Sequence, residues 1–196
     1  IIFPLSWLEF KSVIRPWGFR LFLSLIFIIY ICYVAVWQQQ YFSAAPTLPV
    51  TLEVTGVMLP LSFYFLLFLI INTTELLFRN NTSGFWQISD ALPVPSWVTV
   101  LSKILAMLGV ALLMTICLML FGMLVQATKG YYHFEPGVYF NELFVRWIPK
   151  YLLYILLTAF VAGLTANRYA THWITILFLF CSVIMHETDA IEQNRL

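Results

Sequence analysis

The chain has 196 residues, 62% of them hydrophobic and only 10% charged, with a mean hydropathy of +0.90 and a formal net charge of +1. Ordinary soluble domains carry about 25% charged residues, so this composition excludes a water-exposed globule and points to a chain whose solvent is lipid. The near-zero charge balance gives no reason to expect nucleic acid or a strongly acidic partner.

Residues 1–16 mix polar and apolar side chains and suit a helix lying at a membrane surface. Five apolar runs follow, at Trp17 to Trp37, Val57 to Phe78, Val98 to Ala127, Trp147 to Ala166 and Trp173 to Met185. A spanning helix needs roughly 20 residues, which the first four supply; the fifth needs its flanks to cross. Stretches such as Leu21-Phe22-Leu23 and Ile26-Phe27-Ile28 lack the strict alternation of a membrane barrel. The expected fold is therefore all-α: a polytopic transmembrane helix bundle of about five spans. Cys32, Cys117 and Cys181 each lie inside an apolar run, without paired or metal-binding spacing, and read as small packing residues. The chain opens on Ile and closes on Gln193-Asn194-Arg195-Leu196, which reads as a piece of a longer protein.

Lysine and arginine near the span ends set orientation. Lys11, Arg15 and Arg20 precede or open the first run, and residues 38–56 contain neither residue type. This places the N-terminus in the cytoplasm, residues 38–56 outside, 79–97 inside, 128–146 outside and 167–172 inside. Lys129, Arg146 and Lys150 run against the rule. Lys103 and Lys150 stand near run ends, where their stems can carry the charge to the interface. The aromatic residues between Tyr131 and Trp147 suit an interfacial belt, or a short helix gating an outer opening.

Two segments are candidates for function. In loop 79–97, Phe85, Ile88 and Leu92 recur at helical spacing, Thr82 or Ser83 can cap the start, and Pro93 stops it. That defines a short amphipathic cytoplasmic helix which either joins two spans at the interface or docks onto a partner. Glu75 is a carboxylate inside an apolar run, where a charge costs roughly 2.5–3.5 kcal/mol at a helix centre. It can pair with Arg79 four residues on, or line a substrate path; Asn72, Thr73 and Thr74 suit either reading.

Loop 79–97 resembles the segment between the second and third spans of type-2 ABC transporter permeases, which carry a short cytoplasmic coupling helix. Gly84, Pro93-Val94, Ser96-Trp97 and Lys103 match its pattern in order and spacing, whereas Asn80, Asn81, Thr82 and Ser83 replace the charged residues usual before the glycine. Asp90 to Trp97, Lys129-Gly130-Tyr131, Phe134-Glu135, Ala166-Asn167-Arg168-Tyr169 and Ile191-Glu192-Gln193-Asn194 resemble bacterial permeases fused to a zinc aminopeptidase domain. This resemblance covers roughly residues 75–196; residues 1–74 match only in general character.

The resemblance implies the permease region of an ATP-driven exporter in the inner (plasma) membrane, partnered by lipid, an ATP-binding cassette ATPase subunit and a second permease copy or homologue. Gly84, Phe85, Ile88, Asp90, Leu92 and Pro93 would form the ATPase contact. The alternative is a membrane anchor or scaffold for a peptidase or other assembly without transport. No enzymatic activity is expected of the chain itself. His186-Glu187 begins an H-E-x-x-H string, but Ala190 ends it, and there is no P-loop. His133 and His172 fall in separate loops, so no metal, cofactor or catalytic residue is expected.

Overall fold

Long apolar runs become helices in lipid because a helix satisfies its own backbone hydrogen bonds. The computed structural model describes residues 2–41, 51–82 and 95–193, and no strand occurs among them. The helices in chain order are α1 (Ile2–Ile14), α2 (Trp17–Tyr41), α3 (Thr51–Met58), α4 (Leu61–Thr82), α5 (Ser96–Thr128), α6 (Pro136–Tyr139), a π-helical stretch (Phe140–Trp147), α7 (Ile148–Thr165) and α8 (Arg168–Gln193). Among the described residues four helical stretches are long and apolar enough to cross a membrane. A fifth is added if α1 and α2, bent by 63° at their junction, form one broken span. The expected all-α bundle is thus what the chain forms.

Several boundaries differ from the sequence reading. The second run is two helices, because Leu59-Pro60 interrupts it between α3 and α4. The fifth run extends well beyond Trp173 to Met185: α8 has 26 residues, and its Arg168–Met185 portion passes as a span. The segment read as an outer connection is helical from Pro136 onward and continuous with α7 through the π stretch. Proline at the first helical position suits that start, because its missing N–H would be unpaired there anyway. The aromatic residues of this segment divide between two roles. Tyr132 and Phe140 are exposed, whereas Tyr139 and Trp147 enter the core.

α4 is the central helix, packed against α5, α7 and α8. Its buried residues Phe65, Leu66, Leu69 and Ile70 recur three and four apart and meet Met107, Val110 and Met114 of α5 and Tyr151 and Ile155 of α7 in one core. α2 buries Phe19, Ile26 and Tyr30 and exposes Leu21, Leu25 and Ile28, a division that sets one face to the bundle and the other to lipid. Phe22 stacks on Phe68 of α4 at 4.2 Å, and Phe27 stacks on Phe121 of α5 at 4.4 Å. α1, expected at the surface, is helical and lays one face on α5, where Phe10 covers Gly109. A Cβ at Gly109 would lie 3.2 Å from the Phe10 ring, so glycine permits that approach.

Several buried threonines are satisfied within their own helices. Thr73, Thr74, Thr115, Thr158 and Thr175 are buried and return their hydroxyls to the carbonyl four residues back. This is the usual way a threonine is accommodated in an apolar helix.

Candidate functional site

The α7–α8 turn brings charges to one end of the bundle. Ala166 adopts a left-handed conformation, φ 47°, and its N–H donates to Ala162, closing α7 with an αL cap. Asn167 then caps α8: its side-chain oxygen accepts from Tyr169 N–H at 3.0 Å. The tight reversal fixes Arg168 and His172 on the first turns of α8, beside the last turns of α4. Arg168 Nη2 lies 2.5 Å from Glu75 Oε1, and His172 Nε2 lies 3.3 Å from the same oxygen.

These contacts correct the expected pairing of Glu75 with Arg79. Arg79 instead reaches α1, where it donates to Glu9 and, at 2.7 Å, to Ser12 Oγ. Tertiary partners displace the i,i+4 pair because they offer charge-assisted bonds in fixed geometry. His172 is accordingly a helix residue and not a loop residue. Lys103, expected to reach the interface, is only 5% exposed and donates to the Leu77 carbonyl of α4 at 3.3 Å. Lys150 is exposed, as expected. Asn72 donates to Phe68 O. With Thr73 and Thr74 bonded to their own helix, Asn72 and Glu75 are the two residues of that tract which face a groove.

The result is a charged belt at one end. It ties α4 to α1 through Arg79 and Glu9, to α5 through Leu77 and Lys103, and to α8 through Glu75 and Arg168. The two carboxylates differ in setting. Glu9 is 8% exposed, whereas the Glu75 side chain is 41% exposed. Glu9→Gln should therefore cost about 1.5–3 kcal/mol, the range for a hydrogen bond to a charged group, because the Glu9 end of the pair is buried. Glu75→Gln should cost only about 0.2–1 kcal/mol, as solvent screens an exposed pair. Thermal unfolding in detergent checks the order; a larger loss for Glu75→Gln would refute this ranking.

The opposite end holds a neutral network that the sequence reading did not single out. Tyr139 Oη donates to Gln126 Oε1 at 2.9 Å, and Gln126 Nε2 donates to Thr51 Oγ1 at 3.3 Å; all three residues are fully buried. It links α3, α5 and α6. Gln126 near the end of an otherwise apolar run was the available signal, because a polar residue at that depth demands a partner.

Glu75 is the one predicted site residue whose surroundings are described. Gly84, Phe85, Ile88, Asp90, Leu92 and Pro93 lie outside the described residues. No group of His, Cys, Asp or Glu among the described residues is arranged to hold a metal ion. No family model, curated protein or solved structure matches the chain.

Proposed function

We propose that the chain is the membrane-spanning permease region of an ABC-type exporter, driven by a separate ATPase subunit and working with a second permease copy. The observation that carries this reading is the charged belt. Loop 79–97 joins α4 to α5, and these are the helices that Arg79, Leu77 and Lys103 bind to α1 and to each other. Glu75 extends the link to α8. A push on that loop is therefore carried into four helices at once, which is what coupling ATP-driven closure to alternating access requires; packed elements shift as bodies and do not deform continuously. Glu75 borders a groove and is half exposed, as a pathway residue would be. The test is whether a tagged chain, solubilised from membranes, brings a P-loop ATPase with it. Recovery with a peptidase and no ATPase would favour the anchor reading.

The orientation belongs to the same proposal: an inner-membrane protein with a cytoplasmic N-terminus. Lys11, Arg15, Arg20, Arg79 and Arg168 gather at the belt end, in keeping with the positive-inside rule. Of the outer exceptions, Arg146 is paired with Glu142 at 2.7 Å. In a background lacking Cys32, Cys117 and Cys181, an impermeant thiol reagent should label Ala44→Cys but not Gln87→Cys in intact cells. The reverse pattern would invert the topology and remove the ATPase docking surface from the cytoplasm.

A further inference from the structure

A hydroxyl group buried in an apolar bundle needs a hydrogen-bond partner, because neither lipid nor hydrocarbon side chains supply one. Tyr30 of α2 is fully buried, yet Tyr30 Oη has no hydrogen-bond partner among the described residues. Its surroundings place it beside the Thr51–Gln126–Tyr139 network. The Tyr30 ring meets Phe121 of α5 edge-on at 5.6 Å. The next residue, Gly122, stands against the Tyr139 hydroxyl, where a Cβ would lie 2.9 Å from Tyr139 Oη. The Tyr30 and Tyr139 hydroxyls are near enough to act on each other electrostatically, but Tyr30 makes no direct bond. Tyr139 commits its proton to Gln126 Oε1 at 2.9 Å, so what its oxygen still offers is acceptor capacity. Tyr30 offers an unused donor. A molecule that joins them must accept from the one and donate to the other, which water does with a single atom between its bonds.

We infer that one internal water molecule binds between Tyr30 Oη and Tyr139 Oη, accepting from the first and donating to the second. It adds α2 to the network that ties α3, α5 and α6, so polar contacts from four helices hold the end of the bundle opposite the charged belt. Burial favours water over a larger hydroxyl-bearing ligand. Tyr30, Thr51, Gln126 and Tyr139 are all fully enclosed, which leaves a bulkier molecule no opening through which to keep its remaining parts outside. Tyr151 supplies the contrast. Its hydroxyl is equally buried and unpartnered, but the contacts its ring makes are aromatic, with Trp147 at 6.2 Å and Phe65 at 6.4 Å. A buried water needs at least two polar partners, and only the Tyr30 hydroxyl is paired with a second one. The inference is independent of transport and holds equally for a membrane anchor.

The test uses the whole chain in lipid bilayers, with tyrosine ring carbons labelled and magnetisation started on water in solid-state NMR. Tyr30 is assigned through backbone correlations to Ile29 and Ile31. Signal from water should build up at Tyr30 Cζ faster than at Tyr151 Cζ, and Tyr139→Phe should reduce it to the Tyr151 level. Thermal unfolding gives a second measure. Tyr30→Phe should lower the apparent Tm by about 1–6 °C, the loss of one net hydrogen bond, and should cost little more once Tyr139→Phe is present, because the two hydroxyls share one bridge. Tyr151→Phe should hold or raise the Tm. Equal build-up at Tyr30 and Tyr151 overturns the site, and the native chain decides this even where a variant fails to fold. A Tyr30→Phe variant as stable as the native chain also overturns it, since the hydroxyl would then be truly unsatisfied. A loss of stability without transfer from water overturns it too, and would mean a direct Tyr30–Tyr139 bond or a larger ligand.

Discussion

If the chain is the permease proposed above, Phe85→Ala combined with Leu92→Ala is expected to release its ATPase partner while leaving the chain in the membrane. Phe85, Ile88 and Leu92 recur at positions i, i+3 and i+7, a spacing that would share one face if this segment is helical. A short helix that lays such a face into a groove is held by its apolar anchors. Anchors of this kind typically contribute on the order of 2 kcal/mol each, so losing two weakens association by about a thousandfold. Under the docking proposal, Gly84 would allow close approach to the partner. The two prolines of Pro93-Val94-Pro95 would restrict the backbone just before α5, which begins at Ser96. Asp90→Asn alone should change little, because an exposed ion pair contributes about 0.2–1 kcal/mol. The measurement is the amount of ATPase recovered with a tagged permease from solubilised membranes, normalised to permease in the membrane fraction. Undiminished recovery by the double variant would mean that the helix only lies on lipid, and the docking proposal would fall.

Gly122→Leu should destabilise the bundle more than a leucine at any other glycine among the described residues. A Cβ at this position would lie 2.5 Å from Met58 Cε, 2.9 Å from Tyr139 Oη and 3.1 Å from Tyr139 Cε1. Met58 ends in a flexible thioether and can move aside. The Tyr139 ring is rigid, fully buried, and held by its hydrogen bond to Gln126. Moving the ring overpacks the core, at about 1–3 kcal/mol, and strains its hydrogen bond to Gln126 Oε1, at about a further 0.5–1.5 kcal/mol. At roughly 2–4 °C per kcal/mol for a chain of this size, the apparent Tm in detergent should fall by about 3–18 °C. Gly122→Ala should cost less, since Met58 relieves part of the clash and alanine improves helix propensity by about 1 kcal/mol. Leu124→Ala, on an exposed face two residues away, is the control and should stay within about 0.5 kcal/mol. If Gly122→Leu unfolds no earlier than Leu124→Ala, the tight contact at the α3–α5–α6 junction does not hold.

Composition and periodicity determined the class of fold by themselves. A chain with 62% hydrophobic residues in runs of about 20 has few solutions in lipid other than a helix bundle, because unpaired backbone groups are too costly there. A helix within residues 1–16 and long apolar helices around residues 98–127 and 147–166 were legible from single residues and their spacing. What one residue does to a distant one was not legible. Glu75 and Arg79 form an ideal i,i+4 pair on paper, yet the Ala166-Asn167 reversal brings Arg168 to Glu75, and the placement of α1 against α5 brings Glu9 to Arg79. Lys103 stands near the start of an apolar run, which reads as an end residue, but α4 covers it and supplies a carbonyl. Local pairs are worth only about 0.2–0.5 kcal/mol, and packing of the helices decides among partners at that scale. The groove at the α1–α2 junction and the Thr51–Gln126–Tyr139 network exist for the same reason: each joins segments far apart in the chain, and only the docking of helices places them within reach.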